Sequence, residues 1–163
     1  HEKMKPFITR SLRDIFSTLP KVHVIPLLFL ASCTIQEQSQ HAAVLTSVEH
    51  VMTAINSTQP QLLHEWMIRD AQILGMHKGK PPRVSTVDEM AESIGQNSNI
   101  KMHERTWSPQ VKVSGAIANV WINYDFTVNN QLSHSGVNSI HLINLNGKWL
   151  VNNITYSIFP TLE

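Results

Sequence analysis

The sequence predicts an α+β domain with helices in its N-terminal half and antiparallel strands in its C-terminal half. Apolar residues recur at helical spacing in three segments between residues 44 and 94. Over residues 118–128 apolar and polar residues alternate, as in a strand with one buried face. Asn146-Gly147 separates two further apolar segments, which indicates a β-hairpin. A chain of 163 residues is long enough to bury one core of this kind.

Two helices and a short strand are expected first. The first helix carries an apolar stripe formed by Val44, Leu45, Val48, Val51, Met52 and Ile55. A second helix begins after a cap at Ser57 or Thr58 and tolerates Pro60 in its first turn. Its inward-facing residues are Leu62, Leu63, Trp66 and Met67. Residues 71–76 follow as a short strand.

A third helix and the remaining strands complete the domain. Thr86 and Glu89 form a capping box that opens the helix, which ends near Gly95. The first long strand begins at residue 100, is interrupted at Ser108-Pro109 and resumes through Val111 and Val113, so Pro109 should lie at an edge or bulge. Three more strands are predicted over 118–128, 132–145 and 149–159.

The segment before the domain has the pattern of an export signal. Basic residues precede an apolar stretch over residues 22–32, which is too short to span a membrane. Leu30-Ala31-Ser32-Cys33 resembles the lipobox of bacterial lipoproteins. We therefore expect a signal peptide over 1–32, lipidation of Cys33, a tether over 33–40 and a domain over 41–163. The alternative is an ordinary buried helix with a core cysteine.

Composition narrows the location and the partners. Thr34 after the lipobox resembles lipoproteins sent to the outer membrane, so we expect an exported, lipid-anchored protein on the periplasmic side of that membrane. Beyond residue 32 the chain keeps eight of its 13 Lys and Arg residues and ten of its 12 Asp and Glu residues. No basic patch for nucleic acid is therefore expected. Cys33 is the single cysteine, so no internal disulfide can form.

The residues from 41 to 159 resemble the NTF2-like superfamily, also called the cystatin-like α+β barrel. The similarity is most specific over His134-Ser135-Gly136-Val137-Asn138 and over Asn146-Gly147-Lys148-Trp149, followed by the last strand. The SnoaL-like and lumazine-binding-like branches of small bacterial proteins are the most similar. The resemblance implies three helices packed in a curved mixed or antiparallel sheet that forms a cone with an open mouth.

Strand register decides which residues line the cone, because a one-residue slip exchanges the two faces. In the favoured register the preceding turn holds three residues, Asn129 to Gln131, which places Tyr124 opposite Gly136 and Phe126 opposite His134. The Asn146-Gly147 turn then places Leu142 opposite Val151, Ile140 opposite Asn153 and Asn138 opposite Thr155. The predicted ligand-binding residues of this face are Ile122, Tyr124, Phe126, His134, Asn138, Asn153 and Thr155. A two-residue turn at Asn129-Asn130 gives a rival register, with Tyr124 beside Ser135, Ser139, His141, Asn152 and Tyr156.

Four further residues are candidates for the site. His103 and Arg105 share one face of the first long strand, where an arginine would suit an anionic ligand, although a solvated edge is an equal alternative. Trp66 and Asp70 approach the mouth of the cone from the second helix, where Trp66 could instead pack in the core and Asp70 could end the helix. Seven of the nine histidines lie beyond residue 32, but their spacing fits no metal site, and no cofactor is expected.

Three functions are consistent with these patterns. The first is a lipid-anchored module that binds a small, partly apolar molecule. The second is a SnoaL-like cyclase or ketosteroid-isomerase-like enzyme, with His134 as base and Tyr124 as hydrogen-bond donor. This chain departs from the isomerase pattern because no Asp or Glu falls on the predicted pocket face, and Asp125 points the other way. The third is a homodimeric association module that pairs through the outer sheet face carrying Trp121.

Overall fold

The computed structural model describes residues 25–159, with side chains from residue 35 onward. The basic part of the predicted signal peptide lies outside these residues. Three helices and six strands follow one another as α1 (Ile25–Asn56), α2 (Gln61–Trp66), β1 (Met67–His77), β2 (Arg83–Thr86), α3 (Val87–Gln96), β3 (Met102–Ser114), β4 (Ile117–Val128), β5 (Gln131–Leu145) and β6 (Lys148–Phe159). The predicted α+β class, with helices in the N-terminal half, is confirmed.

The six strands form one mixed sheet in the order β2-β1-β6-β5-β4-β3. Neighbouring strands are antiparallel except β1 and β6, which run parallel. β3 and β2 are the two edges of the sheet. The helices supply buried apolar residues to the same core as the inward face of the sheet, so the core lies between the two layers.

Helix α1 carries the predicted apolar stripe. Val44, Val48 and Val51 are almost completely buried, and the helix ends at Asn56. The predicted tether, residues 33–40, lies inside this helix, and its residues 35–39 are exposed. The main compact unit of the chain begins at Ile35. None of the described helices combines the length and apolar character needed to cross a membrane.

The region after α1 differs from the prediction in three places. Helix α2 ends at Trp66, so Asp70 lies within strand β1 and does not end a helix. The short strand β2 was not predicted, because its four residues carry no alternating pattern of their own and pair only with β1. Neither Ser57 nor Thr58 caps α2, whose first turn follows Pro60 directly.

The capping box of α3 is confirmed. The backbone N–H of Glu89 donates to Thr86 Oγ1 at 3.2 Å, and the backbone N–H of Thr86 donates to Glu89 Oε2 at 2.8 Å. Both otherwise unpaired donors at this helix end are thereby satisfied.

Strand β3 contains the predicted irregularity. Trp107 pairs with Asn123 and Gln110 with Trp121, so Ser108 and Pro109 both stand opposite one residue of β4. Ser108 has a positive φ of 53°. This bulge exchanges the two faces of the strand: even-numbered residues point inward before it, whereas Val111 and Val113 point inward after it.

The favoured pairing of β4 with β5 is confirmed, although its cause differs from the expectation. Tyr124 lies opposite Gly136 and Phe126 opposite His134. The turn contains only the two residues Asn129 and Asn130, both with positive φ. A bulge at Ser133, between the pairs Phe126–His134 and Thr127–Leu132, supplies the additional residue.

The predicted register of β6 is wrong beyond Val151. Leu142 lies opposite Val151 as expected, but Asn152 forms a bulge and Asn153 pairs with His141. Ile140 therefore faces Ile154, and Asn138 faces Tyr156. Ile154 and Tyr156 take the inward positions that were assigned to Asn153 and Thr155.

Candidate functional site

A cavity of about 570 Å³ opens between helices α1 and α3, strand β2 and the inward face of the sheet. Its walls are mainly apolar, with Met52 and Ile55 from α1, Met90 from α3 and Ile154 from β6. The volume lies in the range of small-molecule sites. Four of the predicted ligand-binding residues line it: Tyr124, Phe126, His134 and Asn138.

His134 occupies an aromatic corner of this cavity. Its ring stacks on Phe126 with centroids 5.1 Å apart and meets the edge of Tyr124 at 5.7 Å. Burial, with a smaller contribution from His77, lowers the pKa of His134 below its ordinary value. The imidazole is therefore neutral near pH 7 and can accept or donate a hydrogen bond.

Tyr124 is already committed to the backbone. Its hydroxyl donates to the carbonyl oxygen of Ser157 at 3.0 Å, and its side chain is 2 % exposed. Gly136 does not leave open volume beside it: a Cβ there would overlap the Ser157 carbonyl oxygen and lie 2.7 Å from Tyr124 Cε1. Tyr124 is thus a core aromatic residue whose hydroxyl is satisfied, rather than a free donor.

His103 and Arg105 lie on the outer face of β3 and do not line the cavity. Both are exposed. Arg105 pairs with Asp125 and lies 4.8 Å from the ring centroid of Trp107. Arg105 and a hydrogen bond from Ser135 lower the pKa of Asp125. Asp125 points away from the cavity, as predicted.

Trp66 and Ile122 are also placed elsewhere. Trp66 stacks on His50 at 4.0 Å and lies 4.2 Å from Lys148 Nζ. Ile122 is 4 % exposed and belongs to the core that supports the cavity floor.

Asn153 and Thr155 point away from the cavity because of the Asn152 bulge. Asn153 Nδ2 donates to the carbonyl oxygen of Gln72 at 3.2 Å, and Thr155 Oγ1 donates to Asn153 Oδ1 at 3.1 Å. Their predicted places in the cavity wall are taken by Ile154 and Tyr156.

The residue that sequence reasoning missed is Glu104. It lines the cavity from β3, opposite Phe126. Asn138 Nδ2 donates to Glu104 Oε1 at 2.7 Å. Burial raises the pKa of this carboxyl from 4.5 to about 7, and the bond from Asn138 opposes part of that rise. An acid on the pocket face is therefore present, contrary to the expectation.

Helix α1 holds Glu104 in place. On the edge strand β3 the N–H and C=O of this residue have no strand neighbour on one side. Asn56, the last residue of α1, satisfies both. Its Oδ1 accepts from the Glu104 N–H at 2.6 Å, and its Nδ2 donates to the Glu104 carbonyl oxygen at 3.0 Å. The helix end and the acid are thus fixed to one another.

One sequence signal could have identified Glu104. Met102 is apolar and lies two residues before Glu104, so strand alternation places both side chains on one face. Because the bulge at Ser108-Pro109 exchanges the two faces of the strand, this face is also the one on which Val111 and Val113 lie.

The mouth of the cavity carries charge of both signs. Arg83 of β2 and Glu89 of α3 are exposed residues of its wall. Within residues 35–159 no three His, Cys, Asp or Glu side chains come together as a metal site would require.

The helices, the mixed sheet and the cavity between them together define the NTF2-like, or cystatin-like, α+β fold. A similar solved structure is that of an NTF2-like protein of unknown function from Shewanella baltica, with a TM-score of 0.62, 14% identity, and coverage of 76% of this chain and 96% of that chain. An NTF-2 like protein of unknown function from Silicibacter pomeroyi gives a TM-score of 0.59 at 19% identity, covering 75% of this chain and 98% of that chain. A protein of unknown function with a cystatin-like fold from Nostoc punctiforme gives 0.61 at 9% identity, covering 75% and 92%.

These similarities concern the fold. No protein-family model and no curated protein sequence matches the chain.

Proposed function

We propose that the cavity binds a small, partly apolar molecule and that Glu104 and Asn138 are its polar recognition groups. The observation that carries the proposal is a cavity of about 570 Å³ with mainly apolar walls and the hydrogen-bonded carboxyl of Glu104 on its sheet side. Such a combination of apolar walls and a few placed polar groups is typical of ligand sites.

The test is native mass spectrometry of protein purified from its own host, with two variants that add the same side chain. Ser93 lines the cavity from α3 and its neighbour Glu92 does not, although both residues are exposed. We expect a retained molecule in the wild type and in Glu92→Trp, and its loss in Ser93→Trp. Equal retention by both variants would place the molecule elsewhere, and no retained molecule in any of them would count against the proposal.

A second candidate is the enzyme of the SnoaL-like or ketosteroid-isomerase-like kind, and Glu104 is the observation that favours it. A carboxyl with a pKa of about 7 in this cavity is suited to take a proton near neutral pH. Glu104 replaces His134 as the proposed base. Tyr156 lines the cavity and replaces Tyr124 as the proposed donor, because the Tyr124 hydroxyl is bound to Ser157.

Deuterium exchange next to the carbonyl of small cyclic ketones tests this chemistry. We expect exchange that rises through about pH 7 and is lost in Glu104→Gln, with at least ~100-fold loss for a general base. Exchange that survives Glu104→Gln but is lost in His134→Ala would return the role to the histidine.

We also propose that Cys33 carries a lipid that holds the domain at the cell envelope, on the periplasmic side of the outer membrane. The lipobox-like residues before Cys33 and the start of the compact unit at Ile35 support this. Acyl chains add about 0.8 kcal/mol of membrane affinity for each buried methylene. Cys33→Ala should leave the membrane fraction of the host, and unchanged partitioning would contradict the lipid attachment.

Pairing of two copies through the outer sheet face is a further proposal. Trp107 and Trp121 are 38 % and 49 % exposed on that face. Large apolar side chains with this degree of exposure are typical of protein–protein contact surfaces. Light scattering after size-exclusion chromatography should give a dimer for the wild type and a monomer for Trp121→Ser. A monomeric wild type would contradict the pairing.

A further inference from the structure

Glu104 uses only one of its two carboxyl oxygens within the protein. Oε1 accepts the bond from Asn138, and Oε2 has no hydrogen-bond partner among residues 35–159. A side-chain oxygen or nitrogen that is fully buried and has no hydrogen-bond partner occurs in the same part of the chain only at Asn152 Oδ1, so Glu104 Oε2 is not such an atom. The second oxygen of Glu104 is therefore not sealed in the interior. Since Glu104 lines the cavity, that oxygen is open to the molecule that the cavity holds.

The described cavity wall contains one Lys or Arg residue, Arg83, and it is not paired with Glu104. None of the ion pairs of residues 35–159 involves this carboxyl. Arg83 stands at the exposed mouth and forms no ion pair with Glu104. Burial keeps His134 neutral near pH 7 by lowering its pKa. An ionised Glu104 consequently has no directly paired counter-ion among residues 35–159.

The wall around this carboxyl is aromatic. Phe126 lies directly opposite Glu104 across β3 and β4, and the His134 ring stacks on Phe126. Tyr156 adds a third ring to the same cavity. Faces of aromatic rings attract cations that come within about 6 Å of the ring centre. Both the carboxylate and its surroundings therefore favour a positively charged group.

We propose that the ligand is an organic cation, an amine whose ammonium group donates to the free oxygen of Glu104 while its apolar body packs against Met52, Ile55 and Met90. This inference rests on the proposed ligand-binding function and specifies its ligand class. The ammonium group supplies the missing counter-ion, and its N–H groups satisfy the open acceptor. A carboxylate ligand is disfavoured, because it would bring a second negative charge beside the first.

Three small molecules of one shape and different charge test the proposal: phenethylamine, 2-phenylethanol and phenylacetate. Binding to the full chain is measured by calorimetry at about pH 8, where Glu104 is ionised. We expect the amine to bind about tenfold or more tightly than the alcohol, and phenylacetate to bind most weakly. Glu104→Gln should abolish the preference while keeping an oxygen for the bond from Asn138. Glu92→Gln, an exposed position on α3 outside the cavity wall, should retain it.

Proton release distinguishes the remaining outcomes. At about pH 6 an ammonium must displace the proton from Glu104, so calorimetry in buffers of different ionisation enthalpy should show a proton released with the amine and none in Glu104→Gln.

Similar affinity for amine and alcohol would overturn the cation proposal and leave the ligand-binding function standing. Alcohol binding that weakens above pH 7 would do the same, because Glu104 would then act as a neutral donor. Tightest binding of phenylacetate also overturns the cation proposal. Absence of binding by all three at about 1 mM would overturn the cation proposal, whereas ligand binding itself is overturned only when native mass spectrometry finds no retained molecule.

Discussion

Replacing Glu104 with Gln should change how the stability of the domain depends on pH. The folded-state pKa of Glu104 is raised from 4.5 to about 7 because its carboxyl is buried. The folded protein therefore holds this proton more tightly than the unfolded chain. The contribution of Glu104 to the free energy of unfolding should fall as the pH rises from about 4.5 to 7 and then level off, since both states are ionised above that range.

The size of this effect follows from the shift. Each unit of pKa difference corresponds to 1.36 kcal/mol, so the full shift would destabilise the ionised protein by about 3 kcal/mol. Glu104 is partly exposed as a whole residue, and solvent reduces such terms, so we expect roughly 1–3 kcal/mol. The glutamine side chain of the variant would stay neutral at every pH and could still accept the bond from Asn138. Glu104→Gln should accordingly match the wild type near pH 4, below the unfolded-state pKa, and exceed it by this amount near pH 8.

Urea unfolding at a series of pH values checks the prediction, with the stability difference between variant and wild type as the measured quantity. Titration of all other groups is common to both proteins and cancels in the difference. Glu92→Gln, at an exposed position of α3, is the matched control and should show no such trend. A constant difference across the pH range would refute the buried, proton-holding state of Glu104.

Three further substitutions probe the framework around the cavity, each checked by denaturant or thermal unfolding. Gly136→Ala should destabilise the domain by about 3 kcal/mol or more, since its Cβ would overlap the Ser157 carbonyl oxygen. The control Gly95→Ala, in a helix with open space around it, should instead stabilise by about 0.5–1 kcal/mol. Equal effects of the two substitutions would contradict this packing. Tyr124→Phe should cost about 0.5–1.5 kcal/mol through the lost bond to Ser157 without weakening ligand binding; a variant that keeps its stability but loses ligand would return the hydroxyl to the site. Thr86→Ala should cost about 1 kcal/mol by removing the helix cap, whereas Thr86→Ser should keep most of that stability.

Most of the architecture could be predicted because strong local signals determine it. The Thr86–Glu89 capping box, the Asn146-Gly147 turn and the alternation along β4 each specify one element without help from the rest of the chain. The short strand β2 could not be found in this way, because it depends on β1 as a partner.

The site was harder to predict because single-residue bulges determine which side chains face the cavity. The bulge at Ser133 produced the expected pairing of Tyr124 with Gly136 from an unexpected turn. The bulge at Asn152 turned Asn153 and Thr155 outward, and the one at Ser108-Pro109 concealed the inward position of Glu104. A bulge leaves little trace in composition, yet it reverses every side chain on one side of it.

The parallel pairing of β1 with β6 has a consequence for synthesis of the protein. Met67 lies opposite Val151, so the two strands are joined across more than half of the chain. During translation β1 leaves the ribosome long before β6. Of the two strands that flank β1, β6 is the one with which it pairs over the greater length. The helices cannot complete their packing on the sheet before β6 is present, so folding is expected to finish only after that strand has emerged. A nascent chain stalled before Lys148 would expose the buried side of β1, and it should be a better chaperone substrate than one extended through Phe159.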